Sequence, residues 1–147
     1  MNAFLAIEEA DPRVKVALDP GIYVEPKDKD PASEDTRQAE YIAFIRKHAK
    51  ACRAIGVPNA GKRSRWEAGK RLREGMTAGE PDTATSWADA PTARIEFKDG
   101  QSMPDQNQVA ALNWYHRRGH PVAVCRTLEG ALRWLASIGA PVPRARQ

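Results

Sequence analysis

The chain has 147 residues, 41% of them hydrophobic and 29% charged, with a formal net charge of +4. This is the profile of one folded domain, or one domain with a tail, rather than of a fibrous or low-complexity chain. No apolar run is long enough to span a membrane, and two distant cysteines, Cys52 and Cys125, without Cys-x-x-Cys spacing argue against a disulfide framework or a zinc cage.

Residues 1–33 read as an N-terminal extension or linker, partly disordered. The opening "MNAFLAIEEADPR" has no basic region and meets Glu8 and Glu9, unlike a secretory leader, so a reducing cytoplasm with two buried thiols is expected. "DPGIYVEPKDKDPASED" is rich in Pro, Asp and Lys and lacks a helical or strand period, although Val14–Leu18 and Ile22–Val24 are apolar enough to pack on a body. The body, residues 34–147, starts after Ser33, a helix N-cap followed by Glu34 and Asp35. Tyr41, Ile45, Ala49 and Cys52 share a helical stripe, which predicts a helix over 34–54. The loop "GVPNAGKRS" follows. Ser64-x-x-Glu67 forms a capping box for a second helix ending at Gly75.

Two strand-like runs come next, "DTATSW" and "TARIEFK", with "ADAP" as the turn between them. The second alternates, so Arg94, Glu96 and Lys98 share one face and Ile95 and Phe97 the other. Pro104 opens a third helix through Arg118, stopped by Gly119. "PVAVC" is a continuous apolar strand covered on both faces. Thr127 caps a last helix over 128–138, ended by Gly139 and by Pro141 and Pro143. Helices and strands in this order imply an α/β protein with a small mixed sheet flanked by helices.

Glu96 and Lys98 leave one strand face about 7 Å apart. If the two runs pair as antiparallel neighbours, Asp82 comes down beside them, and Glu34 is within reach as a third acid. Two carboxylates ~4 Å apart repel by about 4 kcal/mol at an effective dielectric of ~20. A divalent cation relieves this, and Mg²⁺ takes one or two carboxylates together with water and phosphate oxygens. An adjacent lysine would then orient water or stabilise charge, the chemistry of phosphodiester hydrolysis. A strand face bearing Arg, Glu and Lys is equally the pattern of a solvated surface.

Several blocks, in order, tie the body to a known family. "SEDTRQ", "VPNAGKRS", "AGEPD", "RIEFK", Gln108 eleven residues before Gly119, and "PVAVCRTLEGAL" together resemble the VRR-NUC family of the PD-(D/E)xK nuclease superfamily, over residues 33–141. The resemblance implies a restriction-endonuclease-like core and a Mg²⁺- or Mn²⁺-dependent deoxyribonuclease, an endonuclease on branched, flapped or junction DNA. A non-catalytic DNA-binding module that kept the fold is the alternative. It implies Asp82, Glu96 and the main-chain carbonyl of Phe97 as metal ligands, with Glu34 as a further acid. Lys98 would be the catalytic lysine and Gln108 a helper lining the site. Glu80, where a small apolar residue is usual, and "DQNQ" before the helix depart from the family pattern.

The densest positive stretch holds Lys62, Arg63, Arg65, Lys70, Arg71 and Arg73, opposed by Glu67. With Ser64 it reads as a phosphate-contacting DNA clamp, against the plainer reading of a solvated helix face. Trp66 and Trp87 are expected to pack, and Trp114, Tyr115 and Trp134 to lie in the core or on a dimer face. His48, His116 and His120 share no spacing and read as surface or capping residues. A homodimer would suit a branched substrate, and a bacterial or phage-infected cytoplasm would suit a small free-standing nuclease of this kind.

Overall fold

The computed structural model describes residues 15–58, 70, 73, 75 and 77–144. Among these are strands β1 (Tyr23–Val24), β2 (Arg53–Gly56), β3 (Thr83–Ser86), β4 (Ala93–Phe97) and β5 (Val122–Cys125). The helices are α1 (Glu34–His48), α2 (Gln106–Arg117) and α3 (Leu128–Ser137). The helix expected from Ser64 to Gly75, with Trp66, lies largely outside the described residues.

Ser33 caps α1 as its chemistry requires, its side-chain oxygen accepting from Thr36 N–H at 3.2 Å. The helix stops at His48, not at residue 54, with Ala49 as its C-cap. Arg53–Gly56 instead forms β2, which pairs antiparallel with β3 from Arg53–Ser86 to Gly56–Thr83. Ladder bonds to a neighbouring strand outweigh the helical preference of "AKACRA", because propensity is worth only tenths of a kilocalorie per residue and tertiary pairing overrides it. Cys52 is buried just beyond the helix rather than on its stripe.

The sheet runs β1-β5-β4-β3-β2. β3 is antiparallel to both its neighbours, while β5 is parallel to both β4 and β1. The parallel step from β4 to β5 needs a crossover, which α2 supplies. On one face Ile95 and Phe97 join Tyr41 and Ile45 of α1 and Leu132 and Leu135 of α3 in the main core. Tyr41 and Phe97 rings lie 5.2 Å apart, and the Tyr41 hydroxyl bonds the Thr85 hydroxyl at 2.6 Å. On the opposite face Leu112 of α2 packs with Val122, Val124 and Ile22. Four consecutive buried residues in β5 follow from its being covered on both faces. Cys52 and Cys125 are free and buried, and burial pushes the Cys125 thiol well up. Among the described residues no helix is long and apolar enough to cross a membrane.

The segment before α1 straps these elements together. Val16 N–H and carbonyl are taken by Gln106, and Ala17 carbonyl and Asp19 N–H by Asn113. Ile22 enters the second core, and Tyr23–Val24 pair with Ala123–Val124 at the sheet edge. Glu25 then caps α3, its carboxylate accepting from the N–H groups of Arg126 and Thr127 and from the Thr127 hydroxyl. Gly130 has no Cβ for a reason: one there would collide with that carboxylate. Two buried arginines finish the strap. Arg37 binds both oxygens of Asp28, at 2.7 and 2.9 Å, and the carbonyls of Asp30, Ala32 and Arg126. Arg126, fully buried, donates to the carbonyls of Glu25, Asp99 and Ser102.

The turn after β4 gives a pH prediction. Asp99 accepts from Ser102 N–H, Gln101 N–H and the Ser102 hydroxyl, which hold its carboxyl down at about 2 against an ordinary 3.8. A depressed folded value means stability that is complete above about pH 4 and lost as pH falls toward 2. Asp99→Asn keeps the turn's acceptor but no longer titrates. Thermal melts from pH 4.5 to pH 2 should therefore fall less steeply for the variant than for the wild type.

Candidate active site

The site grows from the pairing of β3 with β4. Thr83 faces Ile95 and Ala84 faces Arg94. One step further, the same register sets Asp82 opposite Glu96, on the face that also carries Lys98. Such directly opposed residues have Cβ atoms roughly 5 Å apart. The Asp82 carboxylate is anchored by Phe97 N–H at 2.9 Å, which holds it at the end of β4. The pair is buried: Asp82 is 7% and Glu96 0% exposed. The solvated-face reading of this strand therefore fails. The face is covered, and Lys98 is itself only 6% exposed.

Pro81 adds a backbone consequence. The same register puts it opposite Phe97, and proline has no N–H to complete the ladder. Phe97 N–H turns to the Asp82 side chain instead. Its carbonyl, on the same side of an extended strand, receives nothing from residue 81. The residue pair Pro81–Asp82 thus both supplies a carboxylate and interrupts the ladder next to it.

Lys98 Nζ donates to Glu34 Oε1 at 3.1 Å and lies 3.9 Å from Glu96 Oε1. Glu34 reaches it from the first turn of α1, where the Arg37–Asp28 anchor holds the helix end. Gln108 comes from α2. Its Nε2 donates to Glu96 Oε1 at 2.7 Å, while its Oε1 accepts Asp105 N–H at 2.9 Å. Asp105 is the N-cap and completes a capping box with Gln108. Pro104 thus precedes the cap rather than opening the helix. The Asp-x-x-Gln spacing is a signal that sequence reading can recover. Because the backbone takes the amide oxygen, the NH₂ end of Gln108 is the one presented to Glu96.

Gly79 lets α2 close onto this corner. Its φ is +85°, and a Cβ would meet the Asn107 backbone. Glu80, next to it, is engaged by the Tyr115 hydroxyl at 2.8 Å and the Thr77 hydroxyl at 3.1 Å.

Five residues singled out from sequence are thus brought to one place: Asp82, Glu96, Lys98, Glu34 and Gln108. Glu34 meets the carboxylate pair through Lys98, and among the described residues no group of three or more His, Cys, Asp or Glu forms a metal cage. A metal here would rest on Asp82, Glu96 and the Phe97 carbonyl. Two carboxylates and a carbonyl, completed by water and a phosphate oxygen, fit the hard, oxygen-seeking Mg²⁺ or Mn²⁺. Of the basic clamp, Lys70 is exposed, whereas Lys62, Arg63, Ser64, Arg65 and Arg71 lie outside the described residues. Trp87 and Trp134 pack against the main core and Tyr115 against the second, but Trp114 joins neither.

No protein-family model matches the chain, and comparison with curated proteins also finds no match. Among solved structures, a VRR_NUC domain protein superposes with a TM-score of 0.59 at 18% identity, over 81% of this chain and all of that one. The chain thus has an α/β fold similar to that of a VRR_NUC domain protein, with a mixed sheet consistent with a restriction-endonuclease-like core.

Proposed function

We propose that the protein is a Mg²⁺- or Mn²⁺-dependent nuclease that hydrolyses DNA phosphodiester bonds. The observation that carries this reading is the burial of Asp82, Glu96 and Lys98 on one strand-end face, with Gln108 bonded to Glu96 and Glu34 to Lys98. The fold shared with a VRR_NUC domain protein supports it.

Asp82, Glu96 and the Phe97 carbonyl would hold the metal, which when bound supplies a Lewis acid beside the scissile phosphate. The remaining work belongs to the chain. Gln108 fixes the Glu96 carboxylate by its hydrogen bond, so that side chain does not have to reorganise. Lys98, held between Glu34 and Glu96, offers an ammonium to a phosphate oxygen or to the attacking water as negative charge develops. Burial of these groups lowers the local dielectric and strengthens each such interaction. Lys62, Arg63, Ser64, Arg65, Lys70 and Arg71 are the proposed DNA clamp, residues 34–147 the nuclease domain, and a homodimer the assembly suited to branched DNA.

A second reading, a non-catalytic DNA-binding module, draws on the Lys98–Glu34 ion pair, which also serves as a structural link between α1 and β4. Supercoiled plasmid, a flap and a four-way junction incubated with Mg²⁺, Mn²⁺ or EDTA separate the two. The nuclease reading expects cleavage with either metal and none in EDTA. Salt-sensitive retention of DNA without cleavage under any condition would favour the second reading.

A further inference from the structure

Trp114 is a large aromatic residue that the fold leaves outside both cores, and its surroundings are cationic. The Arg118 guanidinium carbon lies 4.1 Å from the centre of its ring. The His120 ring is parallel to it within 3°, with centroids 6.4 Å apart. Tyr115 stands edge-on to both rings and carries the Arg94 guanidinium 4.2 Å from its own centroid. The two acids nearest in the bonding network are engaged: Asp19 by Arg117 at 2.9 Å and Glu80 by the Tyr115 hydroxyl. Tyr115 also packs against the second core with Leu112, whereas Trp114 belongs to neither core.

Position gives the cluster a meaning. Arg94 shares its strand face with Glu96, two residues away. Tyr115 lies seven residues, or two helical turns, beyond Gln108 on the same helix stripe, about 10 Å along the axis. That is roughly three nucleotide steps of a stacked strand. A flat aromatic surface beside guanidinium groups, at that spacing along α2 from Gln108, suits bases stacking on rings while arginines meet phosphates.

We propose that Trp114, with His120, Arg118 and the Arg94–Tyr115 pair, forms a stacking platform for unpaired bases of a single-stranded nucleic-acid segment running from the active site. The proposal rests on the nuclease reading for the identity of its polyanion. Arg118, exposed and donating through Nη1 to the Trp114 carbonyl at 3.0 Å, covers the indole in the free protein and moves to a phosphate when a base takes its place.

The test is binding in EDTA, where cleavage does not intervene. Fluorescence anisotropy compares a labelled oligothymidylate of about ten nucleotides with a blunt duplex, for wild type, Trp114→Ala and Trp114→Phe. Circular dichroism melts check folding. Trp114→Ala should weaken single-strand binding roughly tenfold, Trp114→Phe should restore it to within about threefold, and duplex binding should change less than twofold. If Trp114→Ala melts below the assay temperature, Trp114→Leu, which keeps an apolar side chain but no ring, carries the same comparison. Unchanged single-strand affinity, or equal loss on strand and duplex, overturns the platform. So does Trp114-dependent capture of polyglutamate without capture of the oligonucleotide, which would assign the surface to an acidic protein. Plasmid cleavage with Mg²⁺ is scored on the same preparations. Cleavage without a Trp114 effect sinks the platform alone, and a Trp114 effect without cleavage sinks the nuclease reading alone.

Discussion

Lys98→Ala should reduce DNA cleavage by about a thousandfold or more, the scale lost when one preorganised charge-stabilising donor is removed from an active site, while salt-sensitive DNA binding persists. The ammonium donates to Glu34 at 3.1 Å and lies 3.9 Å from Glu96. Its removal also takes away a positive charge 3.9 Å from the fully buried Glu96, on the face where Asp82 lies opposite. The variant should therefore lose about 1–3 kcal/mol of stability. Lys98→Arg separates the two effects. A guanidinium keeps the charge between the acids but not the compact, rotatable ammonium. This variant should melt close to the wild type and still cleave at least a hundredfold more slowly. Restored activity in Lys98→Arg would reduce the lysine to a structural counter-charge.

Asp82→Asn should be as damaging to cleavage, about a thousandfold, through metal affinity rather than through folding. Asparagine can still accept Phe97 N–H, the bond that aspartate makes at 2.9 Å, so the end of β4 stays in place. What disappears is one of the two negative charges that face each other across β3 and β4. At a Mg²⁺ concentration about ten times its dissociation constant, the wild type should gain about 1.4 kcal/mol, or roughly 4 °C in thermal midpoint. Asp82→Asn should show no such gain. Asp82→Ala, which also strands a buried N–H, should in addition melt lower by about 1–3 kcal/mol-equivalent. A metal-induced shift that survives in Asp82→Asn would mean that the cation binds elsewhere.

The fold was legible where burial imposes a period. β4 alternates because Ile95 and Phe97 face a core, and β5 is uniformly apolar because both its sides are covered. β2 was not legible: Arg53–Gly56 combines good helix formers with a glycine, and only the register with β3 makes it a strand. β1 is two residues between prolines at 20 and 26, too short to carry any period, and it exists because β5 offers a parallel edge. The site was legible in part. Strand geometry put Glu96 and Lys98 on one face, with Asp82 beside them if the two runs pair and Glu34 within reach, and the resemblance added Gln108 and the Phe97 carbonyl. Sequence could not reveal that this face is buried, which depends on how α2 crosses it. Nor could it reveal Arg37 and Arg126, whose buried guanidinium groups meet carbonyls supplied by distant segments. Trp114, expected in the core or on a dimer face, lies in neither core. An aromatic on a helix suggests core, yet the stripe that packs inward is Gln108, Leu112 and Tyr115, and Trp114 falls beside it.

The central claim is that Asp82 and Glu96, facing each other across two antiparallel strands, bind one divalent cation with the Lys98 amine alongside. Crystals soaked in Mn²⁺ and measured at a wavelength where manganese scatters anomalously test it most directly. The account predicts an anomalous peak between the two carboxylates and within bonding distance of the Phe97 carbonyl, absent from crystals of Asp82→Asn. A peak elsewhere on the protein, or none at a Mn²⁺ concentration that supports cleavage, would contradict it.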